Sequence, residues 1–314
     1  MKKFVVSFLL FSFYSVGLYG ILLFTYSYLA PNKFGGNVFK YNTSFDYSKS
    51  RLREADTVKN VDLLIMGSSH AYRGYDVRAF KAKGMKAFNL GTSAQTLIQT
   101  NYLLDKYVDK LKPKMVIIDI YPIMLNTDGV ESLLQLLAIL KIDKKLKDMA
   151  FEANDLRAYN TLFYYSVLNK LGLSRNLMND EPDDKNKYIS GGYVENRSSA
   201  RASKDGSEEG SDKSKQVELI FSLKQQEMLK GMINKLKERK IPYIIFQSPI
   251  SKRMYQSFSN NKEIDVKLSA YGPYYNYNEV RFLDDSCFID NNHLNYNGVK
   301  IYDKFVMDKI NALR

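Results

Sequence analysis

Short apolar runs alternate with stretches of helical spacing along most of the chain, the pattern of a parallel sheet with helices on both faces. Strands are predicted at 61–66, 86–90, 114–121, 242–247 and 279–283. Helices are predicted at 77–83, 94–111, 216–238 and 298–312, each between strands or after the last one. The stretch 129–173 is helical in pattern and falls between the third and fourth strands. It reads as an insertion, a cap over a site or a partner surface beside it. The run 178–215 is rich in Ser, Gly, Asp, Glu, Lys and Asn, and too poor in apolar side chains to offset the ordering of its backbone. It reads as a mobile loop.

The N-terminus follows a different pattern. Met1-Lys2-Lys3 precedes about 27 uncharged residues, Phe4 to Ala30, enough to cross a bilayer as a helix. A cleaved signal peptide competes with this reading, but its apolar region is usually shorter, and Tyr28 is bulky where a small residue is wanted. An uncleaved anchor is the favoured reading, with residues 1–32 as cytoplasmic terminus and span. Lys2 and Lys3 place the N-terminus inside, so residues 33–314 are expected outside the membrane as one domain carrying the insertion and the loop.

Composition narrows the partners. The net charge of +12 is spread over lysine-rich helical stretches, 141–147 and 230–240 among them, so it describes solvated faces more than one patch. No motif supports nucleic-acid binding. Anionic envelope polymers or lipid headgroups are the fitting neighbours of a basic surface beside a membrane. Cys287 is the single cysteine, which excludes an internal disulfide and a cysteine metal site and reads as a packed structural residue. Neither a metal ion nor another cofactor is expected.

Candidate chemistry concentrates in two tetrapeptides. Gly67-Ser68-Ser69-His70 follows the first predicted strand, and Asp290-Asn291-Asn292-His293 precedes the last predicted helix. The chain has two histidines, one in each. A serine hydroxyl at a strand's carboxyl end projects into the crevice where open α/β sheets bind ligands. Gly67 permits the tight turn, and Ser69 offers both a hydroxyl and a backbone N–H. Serines at such a place also commonly cap the next helix, and that alternative stands. Asp290 and His293 are spaced so that one turn returns the carboxylate to an imidazole nitrogen, leaving the other nitrogen to take a serine proton. A loop histidine among turn-forming asparagines is the plain alternative.

These two motifs, with Asn89-Leu90-Gly91 after the second strand and Ser248-Pro249 after a later one, resemble in order and spacing the SGNH (GDSL-like) hydrolase superfamily. With the N-terminal anchor they look most like its membrane-anchored DltD-like and alginate O-acetylation-like branch. The resemblance implies a flavodoxin-like α/β three-layer sandwich with a central parallel sheet. It also implies Ser69 as nucleophile, His293 as base, Asp290 as its orienter, and the Ser69 and Gly91 N–H groups as oxyanion donors. Two departures mark this chain. Ser68 stands where the superfamily has an aspartate before the nucleophile. The third block, which usually supplies an asparagine to the oxyanion hole, reads Ile118-Asp119-Ile120-Tyr121-Pro122. Asn126 or Asn89 then reaches in, or backbone donors act alone, and His70 is a further candidate donor.

The function expected is that of a membrane-anchored extracytoplasmic serine O-acyltransferase or esterase, with transfer slightly favoured. Its substrate would be an acyl ester of an envelope polysaccharide, a teichoic-acid-like polymer or a glycolipid. A membrane-bound O-acyltransferase partner is implied by the resemblance alone. The rival expectation is a non-catalytic accessory protein with a vestigial site; a lipase with an apolar pocket under the insertion is a third.

Overall fold

The computed structural model describes residues 1–30, 37–41, 46–173, 180, 184–198 and 216–313. The chain divides into two compact units, Met1–Asn42 with Leu133–Met178, and Thr43–Ser132 with Asn179–Arg314. Much of the insertion thus groups with the N-terminal helix rather than with the sheet.

The larger unit is built on a five-stranded parallel sheet: β1 (Leu63–Met66), β2 (Ala87–Asn89), β3 (Met115–Asp119), β6 (Tyr243–Gln247) and β7 (Tyr274–Asn276), in spatial order β2-β1-β3-β6-β7. Register pairs Ile65 with Asn89 and with Ile117, and Ile117 with Ile244. The central strands are buried along their length, as their continuous apolar runs require. Helices flank the sheet, and the core packs Leu63, Ile65, Ile117, Phe246, Val299 and Tyr302 among others. The architecture is therefore α/β with a central parallel sheet, as the periodicity indicates. The chain leaves β1 in one direction to reach β2 and returns past it to reach β3, so the sheet reverses winding between β1 and β3. Ligands bind outside the strand ends at such a point.

Capping explains where several helices start. Thr96 and Gln99 form a reciprocal capping box that begins the helix Leu97–Leu111 three residues later than the pattern suggests. Ser222 caps Leu223–Glu238.

Two sequence expectations need correction. The last strand lies at Tyr274–Asn276, not 279–283. The Asn276 side chain accepts from the Asn278 N–H and starts the short helix Tyr277–Val280, which turns the chain out of the sheet. Val280 and Phe282 are exposed there. The run 178–215 is in part ordered as an antiparallel hairpin, β4 (Asn186–Ile189) and β5 (Tyr193–Asn196). Gly191 and Gly192 turn it at φ of +99° and +93°. The Gly191 carbonyl accepts from the Asn89 N–H at 2.8 Å, and a side chain at Gly192 would collide with the Asn89 carbonyl. The Glu54 carboxylate holds the hairpin through the Tyr188 hydroxyl, the Ser190 hydroxyl and the Gly191 N–H. Borrowed partners thus order a segment whose own composition is too polar to do so. The rest of that run, 178–179, 181–183 and 199–215, lies outside the described residues, apart from Asp180, 184–185 and 197–198, which are described but carry no strand.

The smaller unit holds the apolar helix Lys2–Leu29 and the helices Lys144–Glu152 and Leu156–Lys170. The first contains an 18-residue window with a mean hydropathy of 1.9 and is long and apolar enough to cross a membrane, which fits either an anchor or a signal sequence. Its C-terminal half packs on Leu156–Lys170: the Tyr19 hydroxyl donates to Asn160 Oδ1 at 3.0 Å, and the Phe24 and Tyr164 rings lie 5.6 Å apart.

Candidate active site

The loop after β1 is shaped by close approach. Gly67 has φ +152°, and a Cβ there would lie 2.6 Å from the Asp119 carbonyl oxygen, so glycine lets the loop cross the end of β3. Ser68 is the N-cap of the helix Ser69–Gly74, its hydroxyl accepting from the His70 N–H. The two serines therefore divide the roles that the sequence left open. Ser68 caps; Ser69, the first helical residue, turns its hydroxyl into a cleft of about 470 Å³.

The second motif folds on itself. Asp290 Oδ1 accepts from the backbone N–H of Asn292 and of His293, at 2.9 and 2.8 Å. The Ile289 N–H bonds the His293 carbonyl, and Asn295 caps the final helix, Tyr296–Ala312. This tight loop places His293 Nδ1 2.9 and 3.1 Å from the two Asp290 oxygens and His293 Nε2 2.8 Å from Ser69 Oγ. Ser69 and the Asp290–His293 pair, more than 200 residues apart in sequence, thus form one continuous chain of hydrogen bonds.

The proton positions follow from charge. Partial burial alone would raise the Asp290 carboxyl, but the His293 ring and the two N–H groups outweigh it and hold it down to about 2. An ionised carboxylate only accepts, so Nδ1 carries the proton facing it, and in the neutral ring Nε2 accepts from the Ser69 hydroxyl. That is the arrangement in which a serine proton can leave toward imidazole.

The remaining expected residues are placed less uniformly. Asn89 is fully buried; its amide donates to the Ala71 carbonyl, and its Oδ1 accepts from the Gly91 N–H at 3.0 Å. Both groups are spent on each other and on the helix start. The expected donor at Gly91 is therefore engaged in this arrangement, and Asn89 does not reach into the cleft. Asn126 is exposed at the end of the 3-10 turn Pro122–Asn126 and is not among the cleft-lining residues. His70 is buried. Its ring lies 4.0 Å from that of Tyr121 and 5.1 Å from that of His293, centroid to centroid. Burial, and then the neighbouring His293, push it well below the ordinary histidine range, so it is neutral at physiological pH.

Asp119 occupies the third-block position but faces away from the cleft. It is buried at the end of β3, accepting from the Tyr75 hydroxyl at 2.6 Å and from the Ser248 hydroxyl, with the Tyr302 hydroxyl 3.0 Å from that of Tyr75. Burial pushes its carboxyl up to about 7, against the opposing effect of these donors. Cys287 is buried in the core, its thiol pushed up by burial.

The cleft also holds Arg73, Asn186 and Asn196, which the motifs did not name, and Tyr121 and Asn292, which lie within the motifs but were given no role there. Arg73 donates to Asn186 Oδ1 at 2.9 Å and stacks by Tyr72. Its position four residues after Ser69, one turn along the same helix face, was a readable signal. Asn186 and Asn196 come from the hairpin, whose Gly191-Gly192 pair between alternating residues is a turn signature. Among the described residues no cluster of His, Cys, Asp and Glu is arranged to hold a metal ion.

No protein-family model matches the chain, and no curated protein sequence matches it. Two solved structures are similar in backbone course. One is a GDSL-like lipase from Bacteroides thetaiotaomicron, 15% identical, with a TM-score of 0.43, covering 86% of this chain and 100% of that one. The other is a "putative acylhydrolase" from Bacteroides fragilis, 12% identical, with a TM-score of 0.41, covering 87% and 99%. These values are low, and the chemistry of the cleft rests on its own residues.

Proposed function

We propose that this chain is a membrane-anchored, extracytoplasmic serine enzyme that moves acyl groups on esters of an envelope glycan or glycolipid. The observation that carries the reading is the unbroken path from Asp290 through His293 to the Ser69 hydroxyl, opening on a cleft at the reversal point of the sheet. Ser69 Oγ attacks the ester carbonyl as its proton passes to His293 Nε2. Asp290 holds the ring in the competent tautomer and stabilises the imidazolium that results. The Ser69 N–H at the helix start is the first oxyanion donor. With Gly91 engaged, a second would come from a cleft side-chain amide such as that of Asn292. Collapse of the tetrahedral intermediate breaks the bond to the leaving oxygen, which takes the proton from His293. The acyl group on Ser69 then passes to a sugar hydroxyl, deprotonated by the same histidine, or to water.

Transfer is favoured over hydrolysis because the basic chain and apolar N-terminal helix suit a polymer or glycolipid acceptor held near a membrane. The packing of Leu156–Lys170 on the N-terminal helix supports retention of that helix as an anchor. A membrane-bound O-acyltransferase handing acyl groups to Ser69 is a fitting partner. The test is release of p-nitrophenol from short acyl esters by the full chain in membranes, with and without soluble glycan acceptors. Burst release, with acyl-glycan as the product, is expected. The accessory-protein alternative predicts no release above background from folded protein.

A further inference from the structure

The smaller unit contains its own evidence for how deep it sits. A helix crosses the hydrocarbon of a bilayer in about 20 residues, so a span that begins at Phe4 leaves the apolar layer near Leu23. The helix Leu156–Lys170 meets the span around that level, partly within the apolar layer and partly just past it. It meets it at Tyr19, Gly20 and Phe24, with the Phe163 ring 3.2 Å from the Cβ position of Gly20. Packed there, it shares the depth of those residues.

The same unit exposes several large apolar side chains among its polar ones. Phe151, Leu156, Phe163, Leu171 and Leu173 are 63, 58, 41, 58 and 38% exposed. Leu156 and Phe163, seven residues apart, share one face of their helix. Nearby on the chain, Lys141, Lys144, Lys145 and Lys147 are exposed, a basic rim of the kind that meets anionic headgroups. Tyr26 and Tyr28, past Leu23, supply interfacial aromatics on the span itself.

We infer that the helices Lys144–Glu152 and Leu156–Lys170 form a membrane-embedded platform whose apolar side chains enter the lipid leaflet from which the anchor helix emerges. The occupant of the exposed apolar face is lipid, in continuity with the span on which the platform packs. The inference rests on the anchor reading above.

The chain contains no tryptophan, so a single introduced one reports its own surroundings. Phe151→Trp, Leu156→Trp and Leu171→Trp are placed one at a time in the full chain, reconstituted in phosphatidylcholine–phosphatidylglycerol vesicles with and without brominated acyl chains. Phe11→Trp in the span and Val266→Trp, at an exposed site of the larger unit, are the references. Blue-shifted emission and quenching at least twofold greater than at Val266→Trp are expected at the platform positions. Quenching at Phe11→Trp with all three platform positions behaving like Val266→Trp would overturn the platform and leave the anchor. Absence of quenching at Phe11→Trp would overturn both.

Discussion

Asp290 lies half exposed at the rim of the cleft and is held down to about 2, whereas Asp119, at the end of β3, is fully buried and pushed up to about 7. Both accept hydrogen bonds from short loops at the same edge of the sheet. The difference is in their donors and their solvent. Asp290 faces an imidazole and two backbone N–H groups and keeps contact with water, so its charge is retained. Asp119 is met by hydroxyls without a cation, and desolvation dominates. One carboxyl is set to polarise a histidine at any physiological pH; the other works as a structural acceptor beneath the nucleophile loop.

The largest effects are expected at the cleft. Ser69→Ala and His293→Ala should each lower ester turnover by about a thousandfold or more while leaving thermal unfolding nearly unchanged. Asp290→Asn should cost less, roughly a hundredfold or more, because the ring loses its tautomer control but the nucleophile and base remain. Steady-state kinetics on one short ester ranks the three.

At Asp119 the expected effect is on stability. Its folded pKa is raised above the unfolded value, so the native state binds the proton more tightly and the carboxyl costs progressively more stability as pH rises from about 4 to about 7. Asp119→Asn, which keeps an acceptor for Tyr75 and Ser248, removes that dependence. Its melting temperature relative to the parent should therefore improve across that window, and a constant offset would show that Asp119 does not titrate there. Gly192→Ala should destabilise by about 1–3 kcal/mol, from its left-handed backbone and the collision with Asn89, measured by denaturant unfolding. Ser68→Ala is the mildest, costing about 0.5–2 kcal/mol as a lost cap and changing turnover only a few-fold.

The central strands were legible because each is an uninterrupted apolar run buried on both faces, as in Leu63–Met66 and Met115–Asp119. The edge strand was not: Tyr274–Asn276 is three residues long, half buried, and followed at once by a capped turn. The hairpin Asn186–Asn196 was hidden because a polar composition was averaged over a long run, while its order comes from Glu54 and Asn89 far away in sequence. The approach of Asp290 to His293 was readable from their spacing, and the approach of His293 to Ser69 was an expectation of the family resemblance; the structure places the three side chains together. What spacing could not reveal was that Asn89 occupies the Gly91 N–H, or that Asp119 turns inward to Tyr75, since both depend on packing behind the loop.

The most direct measurement is the position of a covalent adduct after the full chain, in membranes, reacts with a fluorophosphonate, read by peptide mass mapping. The account predicts a phosphonylated Ser69, abolished in Ser69→Ala and strongly reduced in His293→Ala. An adduct on Ser68, or folded protein that takes up no probe, would contradict it.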